Sequence, residues 1–123
     1  MKELMKAVAV VGISFAAISS VRADTGNEMA GNCRAFLKEK IPNSQYFDAG
    51  ICAGFVNGVT DTLSIARMAS PETIGICIPG EGFTMGQAAR VLLKYFDDHP
   101  ETLNENASLL ALKAYRAAYP CKD

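Results

Sequence analysis

The sequence predicts an all-α fold: a single small four-helix domain held by two disulfides. Three observations predict it. Apolar residues recur at three- and four-residue spacing, while period-two alternation is absent. Helix-start signatures of the T-x-x-E/Q kind open two of the apolar segments. Four cysteines follow what reads as an export signal. With 123 residues, the chain has room for one domain.

Residues 1–23 read as a signal peptide. Lys2 and Lys6 supply the positive start, Ala7 to Ile18 is apolar apart from Gly12 and Ser14, and Val21-Arg22-Ala23 ends the segment before Asp24. The apolar run is short for a hydrocarbon core of ~30 Å. Export to the periplasm is expected, with no stable membrane insertion after cleavage, leaving 24–123 as the folded domain. Of 12 Lys+Arg and 13 Asp+Glu, cleavage removes Lys2, Lys6, Arg22 and Glu3 and leaves 9 basic and 12 acidic residues. That mild acidity, with no basic stripe, argues against nucleic acid as a partner, since phosphate binding needs concentrated positive charge.

The first helix opens at the capping box Thr25 to Glu28, and Met29, Cys33, Phe36 and Leu37 share one face. It is expected to stop near Lys40, because Pro42 disfavours helix in the residue before it. Asn43 and Ser44 offer cap chemistry for a second helix from about Gln45 to Ala69. Ile51, Phe55, Val59, Ala66 and either Thr62 or Leu63 are its predicted buried residues. A long connection, Ser70 to Phe83, has an apolar centre at Ile74 to Ile78 and is expected to be pinned to the body through Cys77. Thr84 and Gln87 form a second capping box before a helix burying Ala88, Val91, Leu92, Tyr95 and Phe96. Asp97-Asp98-His99-Pro100 breaks the chain, and Pro100 suits the first position of the fourth helix. Leu103, Ala107, Leu110, Ala114 and Ala118 line that helix, and Pro120 ends it.

Four cysteines allow three pairings. If the first two helices form an antiparallel hairpin turning at Pro42–Asn43, Cys33 and Cys52 stand at equal height. Cys121, at the end of the fourth helix, then reaches the loop holding Cys77. The geometry therefore favours Cys33–Cys52 with Cys77–Cys121. A zinc site would want closely paired ligands, and neither C-x-x-C nor a second histidine beside His99 exists. No metal and no cofactor is expected.

Gly50, Gly54 and Gly58 recur every four residues in the second helix. Each costs about 0.8–1 kcal/mol relative to alanine, so close approach of a neighbouring element is the expected compensation. Asp61 falls on the same stripe and is expected to anchor a loop or helix start within the fold, with a dimer or binding surface as the alternative.

Several stretches resemble a known family. Cys52-Ala53-Gly54-Phe55-Val56-Asn57-Gly58-Val59 with Asp61 looks like a C-x-G-[YF]-[IV]-x-G-V-x-D helix. Cys77-Ile78-Pro79 with Thr84 and Gln87 resembles a C-[IL]-P…T-x-x-Q element, and Tyr95-Phe96, His99-Pro100 and Tyr119-Pro120-Cys121 resemble the remainder of the pattern. Together these are similar to the Rap/Tai immunity proteins of type VI secretion systems. The resemblance implies a periplasmic helical protein, often a homodimer, that neutralises a peptidoglycan amidase by covering its active-site cleft. On this view Gly54, Gly58, Asp61, Pro79, Thr84, Gln87, His99 and Pro100 are scaffold.

Exposure and charge offer other candidates for contact with the toxin: Glu72 and Glu81 in the long connection, and Asp97, Asp98 and Glu101 around the second turn. An ordinary solvated acidic turn, with negative charge favourable at a helix start, is the preferred account of the latter group. No catalytic residue is expected, because one histidine would have to serve every nucleophile and the cysteines are paired. The alternative function is a small acid-stress chaperone of the HdeA kind, or another envelope binding protein.

Overall fold

The computed structural model describes residues 24–122; the predicted signal peptide lies outside them. Among these residues five α-helices follow one another: α1 (Gly26–Phe36), α2 (Tyr46–Ala69), α3 (Pro71–Ile74), α4 (Met85–Asp98) and α5 (Ala107–Ala118), with single 3-10 turns at Asn43–Gln45 and Pro100–Thr102. Four of these are the expected helices. The added α3 is one turn inside the long connection, started by Pro71 and stopped by Gly75 at φ 65°.

The start of α1 is the predicted capping box: Glu28 N–H donates to Thr25 Oγ1 at 3.3 Å, and Thr25 N–H donates to Glu28 Oε2 at 2.8 Å. The helix ends at Phe36, earlier than Lys40. After Leu37 come Lys38, Glu39 and Lys40, all exposed, so a further turn would have no apolar face to bury. Pro42 therefore bends a chain that has already left the helix.

The largest departure concerns α2. Its buried residues are Ala49, Cys52, Val56, Thr60 and Leu63, whereas Ile51, Phe55 and Val59 are only partly covered and Thr62 is exposed. The core-facing side is thus turned away from the predicted one, toward the cysteine. The disulfide to Cys33 decides the rotation that an all-round apolar helix leaves open. Thr60, buried among apolar neighbours, satisfies its hydroxyl by donating to Val56 O at 2.7 Å.

Helix α4 is the centre of the fold, packing against α1, α2 and α5. Its Ala88, Ala89, Leu92 and Phe96 meet Met29 and Cys33 of α1, Val56 and Leu63 of α2, and Leu110, Ala114 and Tyr115 of α5 in one core. Tyr115 is wholly enclosed; its hydroxyl donates to Ala88 O at 3.0 Å, and burial pushes the phenol well above its ordinary pKa.

The fourth long helix begins at Ala107, not at Pro100. Pro100 starts a 3-10 turn instead, and Asn106 Oδ1 accepts from Ser108 N–H and Leu109 N–H to cap α5. The reason lies in α1. Its first N–H groups have no partner inside the helix. Gly26 N–H donates to Glu105 O at 3.0 Å and Asn27 N–H to Leu103 O at 2.9 Å, while Ala107 N–H returns a bond to Asp24 O at 2.8 Å. This exchange holds segment 103–106 as a turn and a bend that break off from Pro100–Thr102 before α5 begins.

Both favoured disulfides are present, Cys33–Cys52 with Cα atoms 4.9 Å apart and Cys77–Cys121 with 5.0 Å. In the chain-entropy description they contribute about 3 and about 4 kcal/mol, the longer loop giving the larger value.

Candidate partner-binding surface

The motif residues scattered through the second half converge on one clasp. Cys77 N–H donates to Tyr119 O at 2.8 Å and Cys121 N–H to Gly75 O at 3.2 Å, flanking the Cys77–Cys121 bond. Thr84 caps α4 by accepting from Gln87 N–H at 3.1 Å. The predicted second capping box is only half made, because the Gln87 side chain turns away and donates to Tyr119 Oη at 3.1 Å. Phe83 stands edge-on to the Tyr119 ring, with centroids 5.6 Å apart. Ile76 and Ile78 are buried beneath, so the long connection is pinned as expected. Gln87, Phe83 and the Cys77–Cys121 bond thus fasten the connection, α4 and the C-terminal segment together.

His99 closes α4. Its Nδ1 is 2.8 Å from Tyr95 O, and its ring stacks on the Tyr95 ring with centroids 4.1 Å apart. Since a carbonyl can only accept, Nδ1 carries the proton. Thr102 Oγ1 donates to His99 O at 3.0 Å, completing the turn at Pro100. The histidine is thus tied into a helix terminus, with a carbonyl and an aromatic ring as its neighbours.

The acidic candidates do not form one patch. Glu81 precedes α4, Asp97 and Asp98 are its last two residues, and α4 is 14 residues long, which is about 21 Å at 1.5 Å per residue. Asp97 accepts from Arg34 at 2.6 Å and Asp98 from Lys94 at 2.6 Å, both on the surface. The hydrogen bond from Lys94 holds the Asp98 carboxyl below its ordinary pKa, and the same bond raises Lys94. Glu72, Glu81 and Glu101 are exposed and make no ion pair among the described residues.

The glycine stripe of α2 overturns its expectation. A Cβ atom built on Gly50, Gly54 or Gly58 would meet nothing within 4 Å. Among the described residues, no other element comes that close there. Asp61 anchors neither a loop nor a helix start; it is exposed and accepts from Asn57 Nδ2 at 3.3 Å, one turn back on its own helix. It borders a polar cleft of about 200 Å³ that also brings in Ser64, Pro79 and Thr84. The close approach occurs at Gly26 instead, where a Cβ would lie 2.6 Å from Leu110 Cδ1 and 3.1 Å from Leu103 O.

Sequence reasoning held the outer side of α2 as a surface only as the alternative reading of the stripe with Asp61, and missed the large exposed apolar residues beside it. Phe47 is 78 % exposed, Ile65 66 % and Met68 85 %, and Gly54 and Gly58 line an apolar groove with Phe55, Val59 and Leu112. The signal was available: α2 is apolar all round, with Asp48, Asp61 and Arg67 as its ionisable residues apart from Tyr46. Such a helix has two apolar sides, and a small domain covers one.

The surface offers recognition elements and little chemistry. All four cysteines are paired, and no group of three metal-capable side chains occurs among the described residues. None of the described helices is long and apolar enough to cross a membrane. Searches of curated proteins and of solved structures gave no match. The profile of the family described as Rap1a immunity proteins matches residues 25–121, which takes in all five helices and both disulfides. The chain belongs to the Rap1a immunity protein family.

Proposed function

We propose that this protein is a periplasmic immunity protein that binds and inhibits a peptidoglycan amidase delivered by a type VI secretion system, without itself catalysing a reaction. Residues 1–23 direct export and are removed, leaving a domain from Asp24 onward. The observation that carries this is the family match over 25–121. Two disulfides in a domain of this size support an oxidising compartment, and a fold fastened at both ends suits a rigid plug that pre-organises its contacts.

The exposed acids Glu72, Glu81 and Glu101 would meet a basic rim and speed encounter. Asp97 and Asp98 would first exchange the pairs they make with Arg34 and Lys94. The protein also pairs with itself.

The deciding experiment measures peptidoglycan hydrolysis by amidases encoded beside this gene, at neutral pH, with and without stoichiometric amounts of the protein. Complex formation and suppression of one such amidase is the expected result. Absence of any complex, together with protection of unrelated clients at low pH, would replace this function with that of an acid-stress chaperone.

A further inference from the structure

The two disulfides stand in different surroundings. Cys33 and Cys52 are 0 % exposed and belong to the core. Cys77 and Cys121 are half-buried, and both line an open cleft of about 530 Å³. Arg67 and Lys122 line the same cleft against one acid, Glu72, and all three are exposed. Neither cation makes an ion pair among the described residues. A thiolate can therefore reach the second bond in the folded protein, whereas the first must be uncovered by unfolding. Access and nearby positive charge are what such a reactant requires.

We infer that the Cys77–Cys121 bond is a site of thiol–disulfide exchange in the folded protein. Its reactant is a dithiol, and Arg67 and Lys122 draw in the attacking thiolate. The incoming sulfur bonds to one cysteine sulfur, and the other cysteine departs as a thiolate with the electron pair of the broken S–S bond. The second sulfur of the dithiol then displaces the first cysteine from the mixed disulfide. The reactant is oxidised to its disulfide, and Cys77 and Cys121 take up the two electrons and two protons it gives. Cations beside the sulfurs stabilise the attacking and the departing thiolate alike. A small dithiol and a thioredoxin-like protein share this chemistry.

The rest of the clasp limits what the exchange releases. Ile76 and Ile78 stay in the core, Gln87 keeps its bond to Tyr119, and Arg116 still donates to Ile74 O at 3.2 Å. The buried Cys33–Cys52 bond keeps α1 on α2. Beyond Tyr119, the C-terminal segment retains one backbone bond to the connection, from Cys121 N–H to Gly75 O at 3.2 Å. Opening therefore frees residues 120–122 and slackens the connection around Gly75, close to Glu72, while the domain stays folded. For partner binding, a step that rests on the function proposed above, a reduced clasp holds Glu72 less firmly and weakens the complex.

The test uses the folded, oxidised protein and needs no amidase. Excess dithiothreitol and excess reduced thioredoxin are added in separate arms. Free thiols are trapped by alkylation at intervals, and peptide mass spectrometry reads each cysteine. Cys77 and Cys121 should be trapped at least ~10-fold faster than Cys33 and Cys52, and the arm that reacts faster names the source of the dithiol. Arg67→Gln/Lys122→Gln should slow the opening by ~3-fold or more at low salt, a difference that shrinks as salt rises. After selective opening, thermal melting should still show one cooperative transition. Equal trapping of all four cysteines, protection of both bonds until the protein unfolds, or a rate indifferent to the two cations would overturn the site. Each of those results leaves the inhibition of an amidase standing, and a protein that inhibits no amidase leaves the exchange intact.

Discussion

Gly26 and the pair Gly54 and Gly58 put the same residue to opposite uses. At Gly26 the start of α1 is pressed against Leu103 and Leu110, and there is no room for a methyl group. At Gly54 and Gly58 the space beside α2 is empty. Glycine thus closes the fold at the seam between α1 and the 103–110 segment, and opens a surface on α2. Within the monomer, only the first use has a packing reason.

Substitution can break this contrast. The largest effect is expected from Gly26→Val, which puts a branched side chain into backbone at 3.1–3.2 Å and should cost more than ~3 kcal/mol. Chemical denaturation against the unaltered protein checks it, and a loss below ~1 kcal/mol would show that the seam yields. Tyr115→Phe tests the same closed side through its hydroxyl; losing the bond to Ala88 O should cost about 1–1.5 kcal/mol.

On the open side the sign reverses. Gly54→Ala and Gly58→Ala should each raise stability by about 0.8–1 kcal/mol, since helix propensity improves and nothing is displaced. Phe47→Ser should change stability by less than ~0.5 kcal/mol, despite removing an aromatic ring, because that ring is mostly in water already.

The smallest effect concerns the surface pair at the end of α4. The Asp98 carboxyl is held below its ordinary pKa by Lys94, so its contribution is present above the unfolded carboxyl range and fades as pH falls through the lowered value. Asp98→Asn should therefore differ slightly from the unaltered protein at neutral pH and converge with it in strong acid. A widening gap on acidification, seen by thermal melts across pH, would contradict that sign.

What the sequence conveys well is whatever is decided within one turn or by one covalent bond. Thr25 with Glu28 and Thr84 with Gln87 mark two helix starts because a cap involves residues three apart. The cysteines carry their own geometry, and equal spacing from a turn was enough to pair Cys33 with Cys52. What it conveys poorly is which side of an apolar helix faces inward. On α2 Ile51, Phe55 and Val59 looked as buriable as Val56 and Leu63, and only the position of α1 separates them. Segment 103–106 was unreadable for a similar reason: its carbonyls are taken by Gly26 and Asn27, far away in sequence. The candidate surface suffered most. Acids were visible as letters, but their separation by the length of α4, and the engagement of Asp97 with Arg34, exist only in three dimensions.

The exchange of backbone bonds between 24–27 and 103–107 has a kinetic consequence. The opening turn of the domain is completed by residues that lie far along the chain and leave the ribosome long after it. Contacts so distant along the chain are slow to form, because the intervening loop must be gathered first. Until they close, the first helix has an unsatisfied terminus and the core lacks Leu110 and Tyr115. The domain therefore matures as a whole, and a truncation that removes α5 should leave the beginning unfolded as well.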